Sequence, residues 1–171
     1  QGKTVTLAAD LDLSGVDFTP IPTFGGTFLG RGHTISGLSL TAAGSTQGLF
    51  RYVQPGGLVR DLTVKGTVAP GGTRSIVGGI AGDNAGTLQN CFFRGAVLGE
   101  SSVGGIAGQN SVTGEIIGCS VSGSVSGESI TGGIAGRNLG LLLKCTSAAG
   151  VNLTQTENGV DLTGPDAGAA L

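Results

Sequence analysis

The hexapeptide Val-Gly-Gly-Ile-Ala-Gly at residues 77–82 returns at 103–108 and, with Thr in place of Val, at 131–136. The step from Gly78 to Gly104 is repeated, two positions longer, from Gly104 to Gly132. Self-similarity at such a period means one supersecondary unit stacked on itself, because no single unit of that size can bury its own apolar face.

The register extends well outside the hexapeptide. Gly57, Gly86, Gly114 and Gly140 each stand five residues before Leu62, Cys91, Cys119 and Cys145. Val64, Phe93, Val121 and Ser147 follow two residues later, and Val68, Val97, Val125 and Val151 four beyond those. Polar or small residues lie between, at Thr63, Phe92, Ser120 and Thr146 and at Lys65, Arg94, Ser122 and Ala148, with Phe92 the exception. Alternation of period two inside a strand, repeated once per coil, describes an all-β parallel solenoid whose like residues form ladders. No window carries a capped apolar stripe of helical period.

Three ladders are expected from the repeat. Ile80, Ile106 and Ile134 stack as core; Cys91, Cys119 and Cys145 stack as reduced, inward-facing thiols; Asn84, Asn110 and Asn138 stack at a corner. Asn suits a corner because it tolerates left-handed backbone and its amide can bond the rungs above and below. The Gly pairs 78–79, 104–105 and 132–133 mark another corner, where coils approach closely. The coil from Val103 carries two extra residues within Asn110-Ser111-Val112-Thr113-Gly114, an insertion expected at a turn.

Towards the N-terminus, Val5 and Leu7 alternate with polar neighbours, and Pro20 and Pro22 mark an extended connection. Leu11 and Leu13 stand one period before Leu38 and Leu40, which places each pair in the same column. Thr41 to Gln47 reads as a polar loop. The expected organisation is a solenoid over 1–150, with coils near 48–76, 77–102, 103–130 and 131–150, then a last partial coil and linker over 151–171, where Asn158-Gly159 and Gly164-Pro165 read as turns. About six coils at ~4.8 Å each would make a body about 30 Å long. The chain goes straight into strand-like sequence from Lys3, which reads as a mature or trimmed piece of a longer one.

The coil Val-Gly-Gly-Ile-Ala-Gly-Asp-Asn-Ala-Gly-Thr-Leu-Gln-Asn-Cys (77–91) closely resembles the GLUG repeat. The lead-in Asp10-Leu11-Asp12-Leu13-Ser14-Gly15, Pro20-Ile21, 28–38 and Gly48-Leu49-Phe50 is similar to the segment preceding such repeats. The resemblance covers residues 5 to about 150. It implies a right-handed parallel β-helix of pectate-lyase-like shape. It also implies a place in large bacterial surface or secreted proteins, including adhesin-like chains and the N-terminal regions of immunoglobulin A1 metalloproteases. The third repeat departs from the pattern at Thr131 and Lys144.

Chemistry is sparse. His33 is the single histidine, so no His-Glu-x-x-His zinc motif exists in these residues. No Gly-x-Ser-x-Gly elbow is present, and the three cysteines contain no C-x-x-C. Among the 11 acids only Asp10 and Asp12 are close in sequence; Asp61 lies one repeat from Asn90 and Asp83 one repeat from Gln109. No catalytic residue, cofactor or metal is therefore expected. A net charge of -2 with scattered Lys and Arg gives no footprint for nucleic acid, and no apolar run is long enough for membrane insertion. Phe92 is a candidate outward aromatic contact, and Asn152-Leu153-Thr154 fits a glycosylation acceptor. The expected role is a non-catalytic extracellular module, adhesive or spacing. Its expected partners are flanking domains of the same chain and a host glycan or protein. The alternatives are an accessory module of a secreted immunoglobulin A1-type metalloprotease and a polysaccharide-active β-helix enzyme.

Overall fold

A computed structural model describes residues 2–153 and 169–170. Every strand pair in it is parallel, and among the described residues there is no helix. The strands stack as a β-solenoid with three sheets of ten, six and four strands. Sheet A carries the long strands Leu58–Val68 and Thr87–Leu98, flanked by rungs split in two, such as Thr27–Leu29 with Thr34–Leu40 and Glu115–Ile117 with Ser120–Gly127. Sheet B stacks Ile21–Phe24, Phe50–Val53, Ala81–Asn84, Ala107–Asn110, Ala135–Asn138 and Ala169–Ala170. Sheet C stacks Thr46–Gln47, Ile76–Gly78, Ser102–Gly104 and Ile130–Gly132. Among the described residues sheet A has six rungs, from Thr4–Thr6 to Leu141–Leu143, and six rungs enclose about five turns rather than six. At ~4.8 Å per rung the stack rises about 24 Å.

The core is the set of columns that period two points inward. Val59, Leu88 and Ile116 form one, and Leu62, Cys91 and Cys119 the next, all no more than 1% exposed. Leu49, Ile80, Ile106 and Ile134 fill the corner between sheets C and B, and the amides of Ile80 and Ile106 each donate to the next isoleucine's carbonyl, at 2.9 and 2.8 Å. That corner is tight. A methyl on Gly105 would run into the Gly133 carbonyl oxygen and the Val121 side chain, so only glycine lets the rungs approach this closely. At the N-terminal end, Phe24, Phe28 and Phe50 pack tilted and edge-to-face with centroids 5.1 to 6.3 Å apart.

Three expectations need correction. Leu11 pairs with Ile35, and not with Leu38 a full period on. The strand Thr34–Leu40 itself slips by one residue against Leu58–Val68 between Ile35 and Leu38, with Gly37 at φ 67°. Thr46 and Gln47 are buried in sheet C, where Gln47 starts the column continued by Val77 and Val103. Left-handed backbone does not belong to the ladder asparagines. It occurs instead along sheet A, in a column through Asp61, Asn90, Gly118 and Lys144, and also at Arg31, all with φ between 50° and 62°. At Asp61, Asn90 and Gly118 the kink in sheet A keeps the inward side chains on either side, such as Leu88 and Cys91, buried despite a spacing of three; at Lys144 the flanking Leu142 and Cys145 are half-buried. The turns expected at 158–159 and 164–165 lie outside the described residues.

Candidate functional site

The inward ladders leave the outer faces for recognition. In each sheet B strand the first and last residues point in, and the third points out. Thr23, Tyr52, Asp83, Gln109 and Arg137 therefore form one outward column, in register across five rungs. Tyr52 is 42% exposed. Beside it opens a groove of about 280 Å³ lined by Thr23, Tyr52, Gln54, Pro55, Asp83 and Ala85.

Asp83 is held in place. Ser111 Oγ donates to its Oδ1 at 2.7 Å, and Gln109 Nε2 lies 3.4 Å from its Oδ2 and 3.2 Å from Ser111 Oγ. Ser111 comes from the two-residue insertion. That loop folds back onto the preceding coil: the Ser111 amide donates to the Asn84 carbonyl at 2.8 Å and Thr113 Oγ1 to the Ala85 carbonyl at 2.8 Å. Val112 at its tip is 76% exposed. Tyr52 and this arrangement escaped sequence reasoning because the groove draws on separate coils. The insertion was the available signal.

A second groove, of about 380 Å³, lies on the outer face of sheet A among Phe92, Arg94, Ser120, Ser122, Thr146 and Ala148. Phe92 does point outward, 36% exposed, and its polar neighbours are mostly short hydroxyls.

The ladder residues lie inside or at corners. Asn84 Nδ2 donates to Asn110 Oδ1 at 2.9 Å, and Asn110 Nδ2 to Asn138 Oδ1 at 2.8 Å. Each also reaches the carbonyl that closes its own turn, Gly86, Gly114 or Gly140. The column starts at Asn84 because Val53 occupies the position before it, and Asn84 Oδ1 is left buried without a donor among the described residues. The cysteines are free thiols, Cys91 and Cys119 buried and Cys145 half-buried. The Cys91 amide lies 3.4 Å from Cys119 Sγ, and Cys145 Sγ points to the Ile116 carbonyl at 3.3 Å. Hydrogen bonding with Cys145 pulls the Cys119 thiol down, but its bond with Cys91 and burial outweigh that and push it up. The bond with Cys119, then burial, push Cys145 up as well. Thiols held neutral in this way are poor nucleophiles.

His33 Nδ1 and the Thr34 amide both approach Asp10 Oδ1, at 3.1 and 2.9 Å. The Thr34 amide first, and His33 second, hold the Asp10 carboxyl below the usual carboxylate range. Asp12 is lowered by bonds with Ser14, whose amide lies 2.9 Å from its Oδ1. The Asp10 contacts fasten the lead-in rung to the one above, whereas the Asp12–Ser14 bond closes a local turn. Among the described residues no group of three or more His, Cys, Asp or Glu could hold a metal ion.

The repeat that contains the insertion is also the one a family model matches: the GLUG motif, over residues 99–126. The chain carries a GLUG motif. The GLUG match makes one circuit, through Ser102–Gly104, Ala107–Asn110, Glu115–Ile117 and most of Ser120–Gly127. Beyond it, 129 residues are 33% identical to halomucin of Haloquadratum walsbyi, covering 67% of this chain and 1% of that protein. The GLUG-bearing chain thus spans about 1% of the length of the curated relative it matches. A crystal structure of a proposed immunoglobulin A1 protease from Bacteroides ovatus superimposes with a TM-score of 0.63 over 99% of this chain and 76% of that one, at 17% identity. That likeness is one of fold.

Proposed function

We propose that this chain is a non-catalytic module of a much larger surface or secreted protein, in which it acts as a rigid spacer and presents an outer face for adhesion. The observation that carries the reading is the continuity of the stack. Core and amide ladders run from rung to rung, and the polar groups on the outer face are tied to one another rather than assembled as an acid–base pair. The similarity to about 1% of halomucin favours a module used within a long chain. A solenoid suits spacing because each rung contacts only its neighbours, so length grows without a larger core.

A second reading is an accessory module of a protease that cleaves immunoglobulin A1. The fold shared with the Bacteroides ovatus protein favours it. Antibody raised against this chain should label intact, non-permeabilised cells or the culture medium; labelling confined to lysed cells would refute a surface or secreted location. Incubation of the isolated chain with immunoglobulin A1 and with polyuronates should release no fragments. If deleting the module from its parent slowed immunoglobulin cleavage, the second reading would replace the first.

A further inference from the structure

We propose that the groove beside Tyr52 is a binding site for an uncharged hexose-type glycan, lying along the solenoid axis over the outward column of sheet B. The proposal deepens the adhesive half of the reading above and rests on it. Its first observation is Tyr52 itself, the single tyrosine of the chain, 42% exposed at the wall of a groove. A sugar ring presents an apolar C–H face and a rim of hydroxyls. An exposed aromatic ring takes the first, and an ionised carboxylate takes the second.

The second observation is the state of Asp83. A carboxylate has about four lone-pair sites. Ser111 occupies one on Oδ1, and Gln109 lies beside Oδ2. One site on each oxygen remains, which suits two neighbouring sugar hydroxyls donating together. The carboxylate is oriented before any ligand arrives, which lowers the ordering cost of binding. The third observation is the insertion. Solenoid insertions fall on one face, often the binding face, and this one supplies Ser111 to Asp83 and hangs exposed Val112 next to the column.

Geometry and charge narrow the class. Rungs recur every ~4.8 Å, about the length of one hexose in a chain, so successive sugars in the groove would meet Thr23, Tyr52 and Asp83 in turn. Asp83 would repel a uronate. Arg137, the nearest cation in the column, stands two rungs beyond Asp83, about 10 Å away. The Phe92 groove is larger but offers no acceptor fixed in this manner; its polar neighbours are Arg94 and short hydroxyls.

The test is an amide NMR titration of the full chain with cellohexaose, mannohexaose and polygalacturonate. Saturable shifts at Thr23, Tyr52, Gln54 and Asp83 are expected with a neutral hexaose, and weaker ones with polygalacturonate. Tyr52→Ala should weaken binding by about tenfold or more, and Asp83→Asn by less. Phe92→Ala should leave it unchanged. The wild-type shift map locates the site even if a variant misfolds. Absence of saturable shifts at millimolar sugar, shifts centred on Phe92, or tighter binding of polygalacturonate would each overturn the proposal. New reducing ends in the same samples would instead contradict the non-catalytic reading and leave the glycan site standing.

Discussion

The coil from Val103 and the coil from Thr131 are written in nearly the same sequence pattern, yet they are not equally buried. Ile106 and Ile134 are both fully enclosed at the corner. On sheet A the two part company. Ile116 is 0% and Cys119 1% exposed, whereas Leu142 and Cys145 are half-buried and Leu141 and Leu143 stand 44% and 45% exposed. The lesson is that a solenoid residue owes its burial to the rungs on both sides as much as to its own identity. Stability should therefore depend on position in the stack, and the same substitution should cost more inside than at the end.

Glycine gives the widest separation. Gly105→Ala would drive a methyl into the Gly133 carbonyl and Val121, and should cost about 3 kcal/mol or more in urea unfolding. At Gly150 a methyl meets only the Gly123 carbonyl oxygen, at 3.9 Å, so Gly150→Ala should stay within about 0.5 kcal/mol of wild type. Equal costs at the two sites would break the comparison.

The asparagines sharpen it. Asn110 bonds the turn carbonyl of Gly114, both flanking ladder amides and the Leu141 carbonyl, and is fully buried. Asn110→Ala should cost about 3 kcal/mol, and Asn138→Ala, half-buried, about 1 kcal/mol. A double-mutant cycle between them should give a coupling clearly different from zero.

The third repeat also holds a small defect. Thr131 continues the column of Val77 and Val103, and its hydroxyl is buried without a partner among the described residues. Thr131→Val should raise stability by about 1 kcal/mol by removing that orphaned group. A loss of stability would mean that the hydroxyl is in fact bonded.

The smallest effect concerns the other end. Asp10 has a folded-state pKa below its unfolded value, so its contribution is present above the unfolded value and disappears as pH falls through the folded one. Urea midpoints should therefore drop as pH falls through and below the ordinary carboxylate range, slightly less steeply in Asp10→Asn. An unchanged slope would remove Asp10 from the account of the lead-in rung.

The fold class was legible because the repeat period and the alternation within it are stated by the chain itself, at Cys91, Cys119 and Cys145 as much as in the glycine hexapeptide. What escaped was what a repeat does not state. The left-handed column passes through Asp, Asn, Gly and Lys at positions 61, 90, 118 and 144, so no single residue type marks it. Leu11 pairs with Ile35 because the lead-in coil is shorter than the repeat period, which the equal spacing of Leu11 to Leu38 and Leu13 to Leu40 conceals. Gln47 has polar neighbours in sequence, and its burial comes from Val77 in the next coil. Tyr52, Asp83 and Ser111 follow one another at close to the repeat period, but they differ in type and so form no visible motif.

Native-state amide hydrogen exchange tests the central claim most directly. The Ile80 and Ile106 amides, each bonded to the next rung and flanked on both sides, should exchange only through global unfolding. Protection should then fall by orders of magnitude towards 141–143 in the last described rung of sheet A. Uniform protection along the stack, or greatest protection at 141–143, would contradict a solenoid held together rung by rung.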